Sequence, residues 1–257
     1  MPTATHAVAI LLEMVRAIQA GLPMTPRSAN DKEYFAQDWF IDRLRAAGLR
    51  YQQQGRNSYP DFWVGDDTLT EGYEIKSLAF VPPTAKQAQR GLTGRPARKD
   101  IDFNSTIPSG RKNNCDTFLV FFLYTGMGAA DRVVHSLSLV HGDLINSDHA
   151  VADRHINIAI KEFGSYGDGF IRNRKMYVFP HPLEIDRTGL GRCRLIVPAG
   201  WQLARERLTN VDTIQRRVAD HAIDSYRISL HGGKPSIRRK RYADAGRQTE
   251  FHVFEVI

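Results

Sequence analysis

The sequence contains few of the residues on which cross-linked or metal-clustered folds depend. Cys115 and Cys193 are the only two cysteines among 257 residues, too few for a disulfide framework or a four-cysteine zinc site. The nine histidines show no metal-binding spacing such as His-Glu-x-x-His. We therefore expect a protein of the reducing cytoplasm, in which cysteines and histidines serve structural roles.

Long apolar runs are also missing from the sequence. No segment approaches the roughly 20 apolar residues that a membrane-spanning helix needs. The most apolar early stretch, residues 6–20, is interrupted by Glu13 and Arg16 at helical spacing, which predicts an amphipathic helix rather than a signal peptide. The glycine-containing segment 167–169 lacks the Gly-Lys-Ser/Thr of a nucleotide-binding loop. Neither membrane anchoring nor ATP-driven translocation is expected.

Positive charge exceeds negative charge across the chain. Lysine and arginine number 35 against 28 aspartate and glutamate residues, a formal net charge of +7, and arginine outnumbers lysine. Basic proteins attract polyanions, because each cationic side chain placed on a phosphate releases condensed counterions. The planar arginine fork also suits phosphate groups and guanine edges. Nucleic acid is therefore the expected partner, although a basic surface that binds nothing anionic remains an alternative.

The apolar pattern predicts one mixed α/β domain over residues 1–257. Helices are predicted over residues 5–19, from a capping box at Asn30 and Glu33 to Gly48, and over residues 150–161 and 211–225. Strands are predicted over residues 51–54, 61–64, 73–80, 116–124, 133–141, 175–179, 192–197 and 251–257. The run 116–124 is the most apolar and is expected at the centre of a sheet. Segments 82–112, 164–169 and 232–241 are predicted to be loops.

Three polar residues lie on the hairpin that is predicted to join residues 61–64 to 73–80. Glu74 and Lys76 are two residues apart on one strand, so they project from the same face, whereas Ile75 points to the other face. Asp61 lies near the start of the partner strand. Two carboxylates and one ammonium can therefore converge at one end of the sheet.

This convergence favours a divalent cation. Two carboxylates held close together repel each other, and each favours protonation of the other. A cation removes that penalty, and a site with few oxygen ligands suits Mg²⁺, which keeps several waters and accepts phosphate oxygens. The Lys76 ammonium cannot ligate a metal, but it can hydrogen-bond a water and a phosphate oxygen together. The residue types thus favour hydrolysis of a phosphodiester.

The segments Pro60-Asp61 and Glu74-Ile75-Lys76 resemble the motif of the PD-(D/E)xK nuclease superfamily. A helix before the hairpin and an apolar strand after it fit the same core. The chain length, the basic balance and the polar stretch 102–112 are most similar to type II restriction endonucleases. The resemblance implies a restriction-endonuclease-like mixed β-sheet flanked by helices (α/β, α+β). The catalytic core would cover about residues 30–125, and the remainder would serve DNA binding and dimerisation.

One departure from the family pattern concerns the helix that usually follows the Glu-x-Lys strand. Only residues 84–90 are available for it before Gly91, Gly94 and Pro96 intervene. The helix is therefore expected to be either abbreviated or displaced.

The resemblance also implies an activity and roles for individual residues. It implies Mg²⁺-dependent cleavage of double-stranded DNA at a short specific site, usually by a homodimer, leaving 5′-phosphate and 3′-hydroxyl ends. By this likeness Asp61 and Glu74 would bind the metal, and Lys76 would position or activate the water. Glu33 matches an acidic residue that many members carry on the helix before the hairpin. Its alternative role is that of a helix cap.

Polar and basic segments outside this motif provide the candidate DNA contacts. Asparagine can pair with adenine and arginine with guanine, and basic side chains can contact phosphates. The alternative is that these segments are solubilising loops. The candidates are Asn104, Ser105, Thr106, Arg111, Lys112, Asn113, Arg172, Arg174, Lys175, Arg238 and Arg239.

Three other interpretations of the motif remain open. Glu74 and Lys76 could be a solvated pair on an edge strand, with Asp61 a turn residue. The chain could instead be a repair or junction-resolving nuclease on the same core. It could also be a DNA-binding protein without catalytic activity.

Overall fold

The computed structural model describes residues 5–31, 34–55, 60–67, 70–82, 84–89, 95–96, 100–103, 111–112, 115–126, 129–144, 169–170, 174–177, 193–201, 203, 207–218, 227–231, 234–238 and 247–257. The helices within these ranges are α1 (Thr5–Gln19), α2 (Tyr34–Ala46) and α3 (Ala85–Gln89). The strands are β1 (Tyr51–Gln53), β2 (Phe62–Gly65), β3 (Thr70–Val81), β4 (Arg95–Pro96), β5 (Asp100–Phe103), β6 (Arg111–Lys112), β7 (Cys115–Thr125), β8 (Val133–His141), β9 (Gly169–Phe170), β10 (Arg174–Tyr177), β11 (Cys193–Pro198), β12 (Leu208–Val218), β13 (Arg227–His231), β14 (Lys234–Arg238) and β15 (Arg247–Val256).

A large mixed sheet forms the centre of the fold. Its strand order is β1-β2-β3-β7-β8-β11-β15-β12, with β4 added to β3 and β6 added to β7. Strands β1, β2 and β3 form an antiparallel meander, and β3 then runs parallel to β7. Strand β8 is antiparallel to β7 and parallel to β11. Together with the helices this sheet confirms the predicted mixed α/β class. Two smaller sheets pair β5 with β10, and β13 with β9 and β14.

The first two helices begin and end for local reasons. Helix α1 has the predicted bounds. At the start of α2 the Asp31 carboxylate accepts the Tyr34 N–H at 2.9 Å, which satisfies a backbone donor that has no partner within the helix. The cap is thus Asp31 rather than the predicted Asn30, while Glu33 lies outside the described residues. Gly48 follows α2 with a φ of 69°, the left-handed conformation that commonly closes a helix.

An aromatic layer joins α2 to one face of the sheet. The Phe40 ring lies 5.2 Å from that of Phe62 on β2 and 5.7 Å from that of Tyr73 on β3. The Trp39 ring contacts Phe122 on β7 at 5.4 Å. Helix α1 contacts α2, β8 and β11, and its buried side chains join the same core. The two helices therefore hold the β2–β3 hairpin against the rest of the sheet.

Strand β7 confirms the prediction of a central strand covered on both faces. Phe118, Val120 and Phe122 are fully buried within the helix-facing core. Leu119 and Phe121 alternate with them and are equally buried on the opposite face. Burial on both faces explains why this strand is a continuous apolar run in the sequence.

The helix predicted over residues 211–225 is wrong over its described part. Residues 208–218 form β12, which pairs antiparallel with β15 along its length, with a register shift between Asn210 and Asp212. The apolar residues Val211, Ile214 and Val218 have helical spacing, and this local pattern favoured a helix. Hydrogen bonding to β15 outweighs that local pattern, because strand formation depends on the partner.

Segments predicted to be loops contain short strands and one short helix. Residues 82–112 include α3, β4, β5 and β6, and residues 234–238 of the segment 232–241 form β14 in a hairpin with β13. Gly169 begins β9, whereas residues 164–168 and the predicted helix 150–161 lie outside the described residues. The five-residue α3 lies within residues 84–90, the segment available for a helix after β3.

Over the described ranges, none of the helices combines the length and the apolar character that crossing a membrane requires.

Candidate active site

The register of the β2–β3 hairpin determines where the motif residues lie. Phe62 pairs with Tyr73, and Trp63 pairs with Gly72. Asp61 immediately precedes β2, next to the part of β3 that carries Glu74. The hairpin therefore brings the two predicted carboxylate residues to the same end of β2.

The Asp61 carboxylate is anchored to the backbone of β3. Its Oδ2 accepts the N–H of Ile75 at 2.8 Å, and its Oδ1 accepts the side-chain amide of Gln37 at 3.4 Å. The Asp61 carbonyl accepts the N–H of Gln54 at 2.8 Å. Because Ile75 lies between Glu74 and Lys76, these bonds hold the carboxylate beside the other two motif residues.

Glu74 and Lys76 form an ion pair on the face of β3 that points away from α2. The Lys76 Nζ donates to Glu74 Oε1 at 2.7 Å, and the two side chains are 19% and 10% exposed respectively. The second oxygen, Glu74 Oε2, is buried and accepts no hydrogen bond from the described residues. A buried carboxylate oxygen without a donor carries a desolvation penalty, which a bound cation or water would relieve. The solvated edge-strand interpretation of this pair does not fit its burial.

The donor set fits a magnesium ion. Asp61 and Glu74 contribute oxygens, the ligand type that Mg²⁺ prefers, and two carboxylates leave positions for water and for substrate oxygens. Within the described ranges, no three His, Cys, Asp or Glu residues are grouped closely enough to hold a metal ion. A fully protein-coordinated zinc-type centre is therefore not formed by these residues.

Gly72 is packed tightly next to the motif residues. A Cβ added there would lie 2.8 Å from Pro60 Cγ, 3.0 Å from Trp63 Cζ3 and 3.1 Å from Thr117 Cγ2. These separations are shorter than normal carbon–carbon contacts. The close packing therefore needs a glycine, and the Pro60 ring that it contacts precedes Asp61 in the chain.

We expect Gly72→Ala to lower the free energy of unfolding by about 1–3 kcal/mol, because overpacking displaces neighbouring groups. Urea unfolding of the variant and the wild type measures this difference. Gly200→Ala is the matched control, since a Cβ at Gly200 would contact nothing within 4 Å. Equal stability of Gly72→Ala and the wild type would contradict the described packing.

A second buried carboxylate, Glu71, lies on the opposite face of β3 and cannot join Asp61 and Glu74. Its Oε2 accepts the Ala7 N–H of α1 at 3.0 Å and a short hydrogen bond from the Tyr73 hydroxyl. Burial raises the pKa of Glu71 from 4.5 to about 7, although these hydrogen bonds oppose the change. Burial also raises the pKa of Tyr73 well above its usual value. Glu71 thus anchors the start of α1 to the sheet.

The buried His141 belongs to this helix-facing layer. Its ring lies 4.8 Å from that of Trp201 and 5.5 Å from that of Phe118. Its Nε2 lies 3.6 Å from Asp116 Oδ1. These contacts are those of a packed core histidine, in line with the structural role expected for it.

The structure places some of the DNA-contact candidates on strands. Arg111 and Lys112 form β6 beside the start of β7, Arg174 and Lys175 form part of β10, and Arg238 ends β14. Other candidates lie outside the described residues: Asn104, Ser105, Thr106, Asn113, Arg172 and Arg239.

Sequence reasoning missed Gln37 and Gln53. Gln37 contacts Asp61, and Gln53 Nε2 donates to Gln37 Oε1 at 3.3 Å. One signal was available, since Gln37 follows Glu33 by four residues, the spacing at which residues of a predicted helix share a side. The helix before the hairpin therefore contributes an amide to Asp61.

Comparison of the chain with models of known protein families found no matching family, and a search of curated proteins found no match.

Proposed function

We propose that this protein is a Mg²⁺-dependent endonuclease that hydrolyses double-stranded DNA at a specific site, as type II restriction endonucleases of the PD-(D/E)xK superfamily do. One observation carries the proposal. The side chains of Asp61, Glu74 and Lys76 are gathered around Ile75, by an Asp61 bond to the Ile75 N–H and by the Glu74–Lys76 ion pair. This is the residue set that the superfamily motif requires.

The topology around the hairpin supports the same proposal. Helix α2 precedes the meander β1-β2-β3, and the apolar strand β7 follows it and pairs with β3 in parallel. A parallel partner needs a crossover connection, and the short α3 lies within it. We propose a restriction-endonuclease-like core over about residues 30–125 in a single nuclease domain.

Each motif residue has a distinct role in the proposed reaction. Asp61 and Glu74 would hold the Mg²⁺, with Glu74 Oε2 as the buried oxygen that still lacks a donor among the described residues. When bound, the metal polarises the scissile phosphate and activates an attacking water. The Lys76 ammonium, held in place by Glu74, donates hydrogen bonds that bring a water and a phosphate oxygen together.

The proposed substrate and assembly follow from charge and symmetry. The net charge of +7 favours a polyanion, and the basic candidates on β6, β10 and β14 are proposed DNA contacts. Cutting both strands of a duplex requires two active sites, and a two-fold homodimer supplies them over a palindromic sequence.

Incubation with unmodified plasmid DNA and Mg²⁺ tests the proposal, followed by sequencing of the fragment ends. We expect breaks at fixed positions that leave 5′-phosphate and 3′-hydroxyl ends, and no breaks when the cation is chelated. Cleavage confined to mismatched or branched DNA would instead identify a repair or junction-resolving nuclease. Binding of DNA without cleavage in any divalent cation would identify a non-catalytic DNA-binding protein.

A further inference from the structure

Two glutamines connect the edge of the sheet to the Asp61 carboxylate. Gln53 on β1 donates from Nε2 to Oε1 of Gln37 on α2 at 3.3 Å. Gln37 in turn donates from Nε2 to Asp61 Oδ1 at 3.4 Å. The bond from Gln53 determines which end of the Gln37 amide faces Asp61, because only the carbonyl end of an amide can accept.

The Asp61 carboxylate is held by a donor at each oxygen. The Ile75 N–H binds Oδ2 from the backbone of β3, and the Gln37 amide binds Oδ1 from α2. Two donors from different elements fix the plane of a carboxylate more firmly than one donor does. A carboxylate that is already oriented loses less conformational entropy when it binds a cation.

We propose that Gln37 is a positioning residue that orients Asp61 for cation binding, and that Gln53 orients Gln37. The inference rests on the proposed function, because it assigns the cation to Asp61. An amide suits this role, since it donates a hydrogen bond without adding negative charge beside two carboxylates. The residue on the helix before the hairpin thus acts on the site through Asp61.

The test uses Mn²⁺ alone as the probe and the full chain without DNA. Free aqueous Mn²⁺ gives a sharp electron paramagnetic resonance signal that broadens on binding, so titration measures affinity independently of cleavage. We expect Gln37→Leu to weaken Mn²⁺ binding about tenfold, the lower end for groups that orient a ligand. We expect this small factor because the 3.4 Å between Gln37 Nε2 and Asp61 Oδ1 is long for a hydrogen bond. Gln53→Leu should weaken binding less, about threefold.

Matched variants separate positioning from folding. Gln52 is exposed on the same strand as Gln53, so Gln52→Leu should bind Mn²⁺ as the wild type does. Asp61→Ala should lose the binding that Gln37→Leu weakens. In cleavage assays Gln37→Leu should lower kcat and raise the Mg²⁺ requirement, while the KM for DNA stays unchanged. If Gln37→Leu does not fold, Gln53→Leu tests the proposal instead. Gln53 is exposed on the edge strand β1, so its substitution should leave the fold intact.

The outcomes distinguish the two proposals. If Asp61→Ala abolishes Mn²⁺ binding but Gln37→Leu and Gln53→Leu bind like the wild type, the positioning role is wrong and the cation site stands. If the wild type binds no Mn²⁺, or Asp61→Ala binds it equally well, both proposals are wrong.

Discussion

Asp61→Ala is expected to reduce Mg²⁺-dependent cleavage of duplex DNA by at least about 10²-fold, the usual loss when a group that supports transition-state charge is removed. The affinity for the same DNA should stay unchanged or rise, because the substitution removes a negative charge beside the phosphates. Initial cleavage rates and gel-shift binding without divalent cations measure the two effects separately.

Lys76→Ala provides the second half of this test. Loss of the ammonium should reduce cleavage by a similar factor, because the water and the phosphate oxygen lose a shared donor. DNA affinity should fall only slightly, since a single phosphate contact contributes a small part of the total. Asp42→Ala on α2 and Lys86→Ala on α3 are the matched controls, because both side chains are exposed. Wild-type cleavage by Asp61→Ala or Lys76→Ala would exclude the assigned site.

Glu71→Gln is expected to remove a large pH dependence of stability. Burial raises the pKa of Glu71 from 4.5 to about 7. Between these values the unfolded chain releases the proton and the folded chain keeps it, so the free energy of unfolding decreases as pH rises. The decrease is at most about 1.4 kcal/mol per pH unit, or about 3 kcal/mol over the whole interval.

Urea unfolding of the wild type and Glu71→Gln at pH 4.5 to 8 measures this effect. The difference between the two curves isolates the contribution of Glu71 from that of the rest of the protein. Glutamine keeps a carbonyl that can accept hydrogen bonds from Ala7 and Tyr73. Above pH 7, Glu71→Gln should therefore gain stability relative to the wild type. Tyr73→Phe removes a hydrogen bond that lowers the Glu71 pKa. The free energy of unfolding of this variant should therefore continue to decrease up to a higher pH than that of the wild type. Parallel curves for wild type and Glu71→Gln would contradict the raised pKa.

The features that could be predicted from the sequence are those determined by local patterns. Alternating and continuous apolar runs predicted β7 and the β2–β3 hairpin, and the two-residue spacing placed Glu74 and Lys76 on one face. The anchoring of Asp61 was not predictable in this way. It depends on Gln37, which is 24 residues away in sequence and is brought close by the packing of α2.

The errors have the same physical origin. Strand β12 has the apolar spacing of a helix, and only its pairing with β15, remote in sequence, makes it a strand. Asn30 and Asp31 are both good caps, and the difference between them depends on a second bond, because Asp31 also accepts the Arg27 N–H at 2.9 Å. Local sequence could not distinguish these alternatives.

Strand β3 carries Glu71 and Glu74 three residues apart on opposite faces, one beneath α1 and the other beside Lys76. Successive residues of a strand point to opposite faces, so inserting or deleting one residue after Gly72 would turn Glu74 to the face that Glu71 occupies. Glu74 and Lys76 would then turn toward the aromatic layer of α2. We therefore expect changes of length to be tolerated in the connections at the ends of β3 rather than within it.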